Sequence, residues 1–122
     1  MGNMINTFKP LEFLDLANRL GVPMAGEADM RTAVGRTYYA VFLTARDKTG
    51  VITTQGTHRE VNRRVKRQLG GGIGSQLKSL ERLRNVADYE MLPVDPGDRN
   101  WETNLGRARA IAGYILPKIQ AI

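Results

Sequence analysis

The chain has 122 residues, a formal net charge of +6, and 42% hydrophobic and 25% charged residues. A chain of this length forms one domain, here residues 1–122, whose core needs no disulfide or metal to hold it. Because cysteine is absent, disulfides and thiolate metal sites are excluded, and we expect neither a metal nor a cofactor. The basic excess favours an acidic partner: nucleic acid first, then an anionic membrane or an acidic protein.

Targeting and membrane signals are missing from the sequence. The longest apolar run, residues 111–116, is far shorter than the roughly 20 residues that span a bilayer. Residues 1–4 lack the basic start and apolar block of a signal peptide. We therefore expect a cytoplasmic protein without membrane association.

The spacing of apolar residues predicts five helices and no strand, hence an all-α fold, an up-and-down bundle. In chain order the predicted helices begin and end near Pro10 and Leu20, Glu27 and Lys48, Thr57 and Leu69, Gly74 and Leu92, and Asp98 and Ile122. Thr57 is the predicted N-cap of the third helix, in a capping box with Glu60. The glycine run at residues 70–74 lacks a preceding strand and a following Gly-Lys-Ser/Thr, so it predicts a flexible loop rather than a phosphate cradle.

The third predicted helix has a narrow apolar seam and an otherwise basic surface. Val61, Val65 and Leu69 form the seam. The candidate phosphate contacts are Arg59, Arg63, Arg64, Lys66 and Arg67. Five bases against one acid favour RNA contact through counterion release and arginine–phosphate hydrogen bonds, although a solvated face that keeps the protein soluble is the alternative.

The fourth predicted helix carries a charge inside its apolar stripe. Leu77, Leu80, Leu83, Ala87 and Met91 define that stripe, and at 100° per residue Arg84 falls within it. A charge there is costly unless it is paired. Either Arg84 pairs with Asp88 at i, i+4, or it is held over a cleft and directed at a phosphate.

His58 is the single histidine of the chain. It is either an exposed residue at the start of a helix, or a general acid/base or phosphate donor. With no second histidine, the residues do not favour a metal site.

Three segments together resemble the HEPN domains, small all-α bundles of prokaryotic toxin–antitoxin, phage-defence and nucleotidyltransferase-partner systems. They are Arg36-Thr-Tyr38-Tyr39-Ala-Val-Phe42, the Thr57-His58 helix start, and Leu83-Arg84-Asn85-Val-Ala87-Asp88-Tyr89. Their order and spacing match, and the resemblance extends over about residues 8–119. It implies a homodimer or a complex with a nucleotidyltransferase or antitoxin partner. It also implies a cleft lined by these helices, with Tyr38, Tyr39 and Asp88 in its walls and Arg36 as a further phosphate contact.

The resemblance also implies a catalytic motif, which this chain carries incompletely. Active family ribonucleases have an arginine, a polar residue and then a histidine after four to six intervening residues. Arg84 and Asn85 match the first two positions, but the positions for the histidine hold Tyr89, Glu90 and Met91. Family chemistry is metal-independent attack of the RNA 2′-hydroxyl on its phosphate, and tyrosine, with a pKa of about 10, is a poor proton carrier at neutral pH.

Three functions follow as hypotheses. In the first, a non-catalytic or weakly catalytic HEPN-like protein binds RNA or nucleotide phosphate in a dimer or with a partner. In the second, an active endoribonuclease uses Arg84, Asn85 and Tyr89, helped by His58. In the third, the chain is a protein-interaction module without a nucleic-acid role. Self-association is expected because Met30, Tyr39 and Trp101 are candidates for surplus exposed apolar surface.

Overall fold

The computed structural model describes residues 9–122 as a bundle of five α-helices, which confirms the predicted all-α class. The helices are α1 (Leu11–Leu20), α2 (Glu27–Thr49), α3 (Thr57–Leu69), α4 (Gly71–Tyr89) and α5 (Trp101–Gln120), with a 3-10 turn at Pro96–Asp98 before α5. No strand occurs among these residues. Residues 1–4, on which the expectation of no signal peptide rests, lie outside the described part.

The long helix α2 is the centre of the bundle and packs against all four other helices. Its Val34, Tyr38 and Val41 are buried, and they meet Leu80 of α4 and Ile115 of α5 in one continuous core. Burial of this apolar area is the main source of stability, at roughly 25 cal/mol per Å² removed from water. In the described residues, no helix combines the length and apolarity needed to cross a membrane.

The start of α3 differs from the predicted capping box. Gly56, in the left-handed region at φ 64°, precedes the helix, and the Thr57 hydroxyl donates to the carbonyl of Thr53 at 2.8 Å. Glu60 does not reach back to the backbone, because its carboxylate accepts hydrogen bonds from Arg63 and Arg64. Two guanidinium donors one turn away are stronger partners for a carboxylate than a single amide N–H.

The predicted glycine loop is wrong, because α4 begins at Gly71 and only Gly70, at φ 98°, separates it from α3. Close packing explains this result. A Cβ atom on Gly74 would lie 2.9 Å from Cβ of Lys66, so glycine lets α4 approach α3 directly. Asn62 Nδ2 reinforces the approach by donating to the Gly74 carbonyl at 2.8 Å.

The end of α4 also differs from the prediction. The helix stops at Tyr89, Glu90 is extended, and Met91 is 95% exposed instead of belonging to the apolar stripe. Arg31 of α2 donates to the carbonyl of Ala87 at 3.2 Å and to those of Glu90 and Met91. These charge-assisted bonds satisfy carbonyls that a helix end leaves without partners.

The prediction that Met30, Tyr39 and Trp101 provide exposed apolar surface is also wrong. Met30 and Trp101 are buried, and Tyr39 is half-buried. The Arg31 guanidinium covers the Trp101 ring at 4.4 Å from its centroid. Exposed apolar side chains occur instead at the end of α4 and just after it, in two loops, and on α1 and α5: Tyr89, Met91, Leu92, Val94, Val22, Met24, Ile52, Leu11 and Tyr114.

Candidate functional site

Helices α2, α3 and α4 meet around the side chain of Tyr38. Its ring is 1% exposed, and its hydroxyl oxygen lies 2.5 Å from Nδ1 of His58, in the first turn of α3. The His58 ring stacks on Phe42 with 4.0 Å between centroids and 9° between planes. His58 is therefore a half-buried member of the motif cluster, and its interpretation as a freely exposed helix-start residue is wrong.

The contact with Tyr38 determines which nitrogen of His58 carries the proton. Burial, with the Glu81 carboxylate adding to it, raises the pKa of Tyr38 far above its usual range, so the phenol keeps its proton. His58 is the one hydrogen-bond partner of this hydroxyl in the described residues. A buried O–H needs an acceptor, so Tyr38 donates to Nδ1, and neutral His58 carries its proton on Nε2.

The protonation of His58 is controlled by its burial and by two charges. Burial lowers its pKa; the Glu81 carboxylate, 3.7 Å from Nδ1, opposes this shift, and the charge of Arg84 adds to it. The net shift is downward, so the ring is neutral at pH 7. Neutral His58 is thus a hydrogen-bond donor through Nε2.

Arg84 lies inside the bundle, as its place in the apolar stripe predicts. The residue is 6% exposed; Nη2 donates to the Tyr39 hydroxyl and Nη1 to Oδ1 of Asn85, both at 2.9 Å. The nearest carboxylate oxygen, Oδ2 of Asp88, lies 3.8 Å from Nε, and Nε itself is buried without a hydrogen-bond partner. The Arg84–Asp88 pair therefore exists, but Tyr39 and Asn85 hold the guanidinium.

The guanidinium of Arg84 also lies against aromatic rings. Its central carbon is 5.4 Å from the centroid of Tyr38 and 5.0 Å from that of Tyr39. Arg36 approaches the same Tyr39 ring at 5.4 Å and the Phe13 ring at 4.8 Å. Such contacts stabilise a cation by about 0.5–2 kcal/mol when it is partly desolvated. With so little exposed surface, the Arg84 guanidinium can influence a group at the protein surface chiefly through its charge.

A polar groove runs along α4, and its first part lies between α4 and the start of α3. We refer to the whole as the α3–α4 groove. It consists of two adjoining cavities that share Lys78 and Glu81. The first, of about 390 Å³, is lined by Gly56, Thr57, His58, Arg59, Asn62, Lys78 and Glu81. The second, of about 470 Å³, is lined by Ser75, Lys78, Ser79, Glu81, Arg82 and Asn85.

The predicted basic residues of α3 fall into two groups. Arg63 and Arg64 share the Glu60 carboxylate, whose pKa their hydrogen bonds lower to about 2, and Arg64 also donates to the Thr49 carbonyl. The side chains of Arg59, Lys66 and Arg67 have no hydrogen bond or ion pair with another described residue. Of the five, only Arg59 lines the groove.

The remaining motif residues lie at different depths. Asp88 is partly exposed beside Arg84, and Tyr89 is 75% exposed, with the Arg84 guanidinium 5.9 Å from its ring centroid. The structure thus brings Tyr38, Tyr39, His58, Arg84 and Asn85 together and leaves Lys66, Arg67 and Tyr89 outside the groove.

Sequence reasoning missed Lys78, Glu81 and the Arg82–Asp98 ion pair. Lys78 lies in both cavities, and Arg82 Nη1 donates to the buried Asp98 carboxylate at 2.9 Å. The sequence pattern that indicates them is a polar stripe at positions 78, 81, 82 and 85. These positions recur at intervals of three and four residues and lie opposite the apolar face of the same helix. Within residues 9–122, no group of three His, Asp or Glu side chains could hold a metal ion.

Compared with known proteins, the chain matches no family model, no curated protein and no solved structure. The resemblance to HEPN domains therefore stays a prediction that rests on the three motif segments.

Proposed function

We propose that this chain is a HEPN-like protein that binds RNA through its phosphates in the α3–α4 groove. In this proposal it has little or no ribonuclease activity, and it works as a dimer or with a partner such as a nucleotidyltransferase or an antitoxin. The net charge of +6 and the three motif segments support the proposal.

One observation carries it: two cations without carboxylate partners face the same groove. Arg59 and Lys78 form no ion pair or hydrogen bond with another described residue, yet both line the first cavity. His58 adds its Nε2–H beside them, and Asn85 lines the second cavity. Cations held on two packed helices bind phosphates by releasing counterions and by charge-assisted hydrogen bonds.

The test is RNA binding measured by fluorescence anisotropy between 50 and 200 mM salt, with a labelled single strand of about 12 nucleotides. The double variant Arg59→Ala, Lys78→Ala should bind more weakly and should flatten the log–log salt slope by about 0.7 for each lost contact. The control Arg19→Ala, Lys118→Ala removes the same charge from α1 and α5 and should bind like wild type. An equal loss of RNA affinity in both double variants would indicate that the net charge of the protein alone attracts RNA, and it would refute a binding site in the groove.

An active endoribonuclease is the second candidate, because the structure places His58 in the same cluster as Arg84. The tautomer argues against a strong activity: with Nδ1 accepting from Tyr38, Nε2 has no lone pair with which to take a proton from a 2′-hydroxyl. Cleavage of a fluorogenic RNA by wild type, lost in both His58→Gln and Arg84→Ala while circular dichroism shows both variants folded, would establish this second function. No cleavage by wild type is the result that we expect.

A further inference from the structure

The first cavity of the α3–α4 groove differs from the rest of the surface in the groups that converge on it. Gly56 and Thr57, at the start of α3, line one wall of the cavity, and residues of α4 line the other. The volume of about 390 Å³ lies within the usual range for ligand sites. The cavity is therefore large enough for a phosphate group and the sugar attached to it.

Three donors surround this space. Arg59 and Lys78 bring two full charges, and His58 brings a neutral N–H that Tyr38 orients. Glu81 is the one carboxylate in the wall; it lies 3.7 Å from the His58 ring, at the boundary with the second cavity. A carboxylate repels phosphate oxygens but accepts hydrogen bonds from hydroxyl groups, so Glu81 suits a ribose better than a phosphate.

The second cavity continues the site with different chemistry. Besides the shared Lys78 and Glu81, it offers the hydroxyls of Ser75 and Ser79, the amide of Asn85 and the guanidinium of Arg82. Arg82 is already paired with Asp98, and Asn85 with Arg84. Arg82 and Asn85 are therefore oriented by their own partners. The polar groups of the second cavity suit the hydroxyl groups and base edges of a nucleotide.

We infer that the α3–α4 groove binds the terminal nucleotide of an RNA strand, with the terminal phosphate in the cavity beside Arg59, Lys78 and His58. A terminal phosphomonoester carries a charge of about −1.5 to −2 at pH 7 and has three free oxygens, whereas an internal phosphodiester carries −1 and has two. The two positive charges of Arg59 and Lys78 and the neutral N–H of His58 match the charge and the three free oxygens of a terminal phosphate. This inference rests on the proposed RNA binding and deepens it.

The experiment compares three labelled eight-nucleotide RNAs of one sequence at 100 mM salt: one with a 5′-phosphate, one with a 3′-phosphate and one with neither. We expect one of the phosphorylated strands to bind about tenfold more tightly than the unphosphorylated strand, and Lys78→Gln to abolish this preference. Lys78 is exposed, so the variant should fold, and circular dichroism checks that it does.

Each alternative outcome has a distinct meaning. Equal, measurable affinity for all three strands would overturn terminal recognition and leave RNA binding intact. No binding of any strand would overturn the proposed function itself. A preference that survives in both Lys78→Gln and Arg59→Gln would overturn the assignment of the terminal phosphate to this cavity. Inorganic phosphate should compete better against the preferred strand than against the unphosphorylated one.

Discussion

The hydroxyl of Tyr38 donates to Nδ1 of His58 across 2.5 Å and thereby ties the central helix to the first turn of α3. The two residues are 20 positions apart in the chain, and each belongs to a different motif segment. The bond is buried on the Tyr38 side and reaches the groove on the His58 side. It therefore couples the folding of the bundle to the protonation state of a groove residue.

This coupling predicts a pH effect on stability. The folded-state pKa of His58 is lowered, chiefly by burial, so folding favours the neutral ring. The contribution of neutral His58 to the free energy of unfolding should be complete above the ordinary histidine pKa of about 6.5. It should be lost as the pH falls through the lower pKa of the folded state.

Urea unfolding at pH 7.5 and 5.5 measures the effect. Wild type should be more stable at the higher pH. His58→Gln should show a smaller difference, because His58 is the single histidine and ordinary carboxyl groups titrate below this window. An unchanged pH dependence in the variant would show that His58 keeps its ordinary pKa.

Arg84 should be essential for stability and Asp88 should not. Arg84→Ala removes the hydrogen-bond donor to Tyr39 and Asn85, leaves a cavity and leaves the Asp88 carboxylate without its ion-pair partner. We therefore expect the free energy of unfolding to fall by about 3 kcal/mol. Asp88→Asn breaks only a 3.8 Å contact at a partly exposed carboxylate, with an expected loss below about 1 kcal/mol. Chemical unfolding measures both; equal losses would restore Asp88 as the main partner of Arg84.

Tyr89→His should create or strengthen ribonuclease activity. Tyr89 is exposed and close to Arg84, so a histidine there keeps a pKa near 6.5 and supplies the missing proton carrier. A single general acid/base is typically worth about 100- to 10,000-fold, which a fluorogenic RNA assay resolves. Arg84→Ala in the same background should remove the gain. Robust cleavage by wild type that disappears in Tyr89→Phe would contradict this prediction.

Self-association should use the exposed apolar side chains at the end of α4 and just after it. Tyr89, Met91, Leu92 and Val94 are exposed, whereas the sequence-based candidates Met30 and Trp101 are buried. Light scattering at tens of micromolar should give twice the chain mass of 13.6 kDa, and Met91→Ser with Leu92→Ser should shift it toward the monomer. A wild-type monomer, or a dimer unaffected by the double variant, would contradict this assignment.

Helix number and most helix ends were predictable from local patterns. Gly50 and Gly21 end helices where expected, and Asn100 caps α5 by accepting from the Thr103 N–H. The failures involve tertiary contacts. Gly74 is helical because α3 packs on it, and α4 ends early where Arg31 donates to the carbonyl of Ala87 in its last turn and to those of Glu90 and Met91 just after it. Neither contact has a signal in the local sequence.

The candidate site was predictable in part. The place of Arg84 in an apolar stripe followed from its periodicity, and the structure buries it. The sequence did not reveal that Arg63 and Arg64 share the Glu60 carboxylate, at i+3 and i+4, which offsets one of their two charges. Lys78 belongs to the groove only because α3 and α4 pack side by side, a relationship between helices that periodicity does not reveal.

The most direct test of a groove site is a comparison of two double variants that lose the same charge from neighbouring positions. Arg59→Ala with Lys78→Ala removes cations that line the groove, and Lys66→Ala with Arg67→Ala removes exposed α3 cations outside it. We expect the Arg59 and Lys78 double variant to weaken RNA binding about tenfold more than the other and to flatten the log–log salt slope by about 1.4, at about 0.7 for each contact. A loss of affinity in the Lys66 and Arg67 variant equal to or greater than that of the groove pair would contradict it.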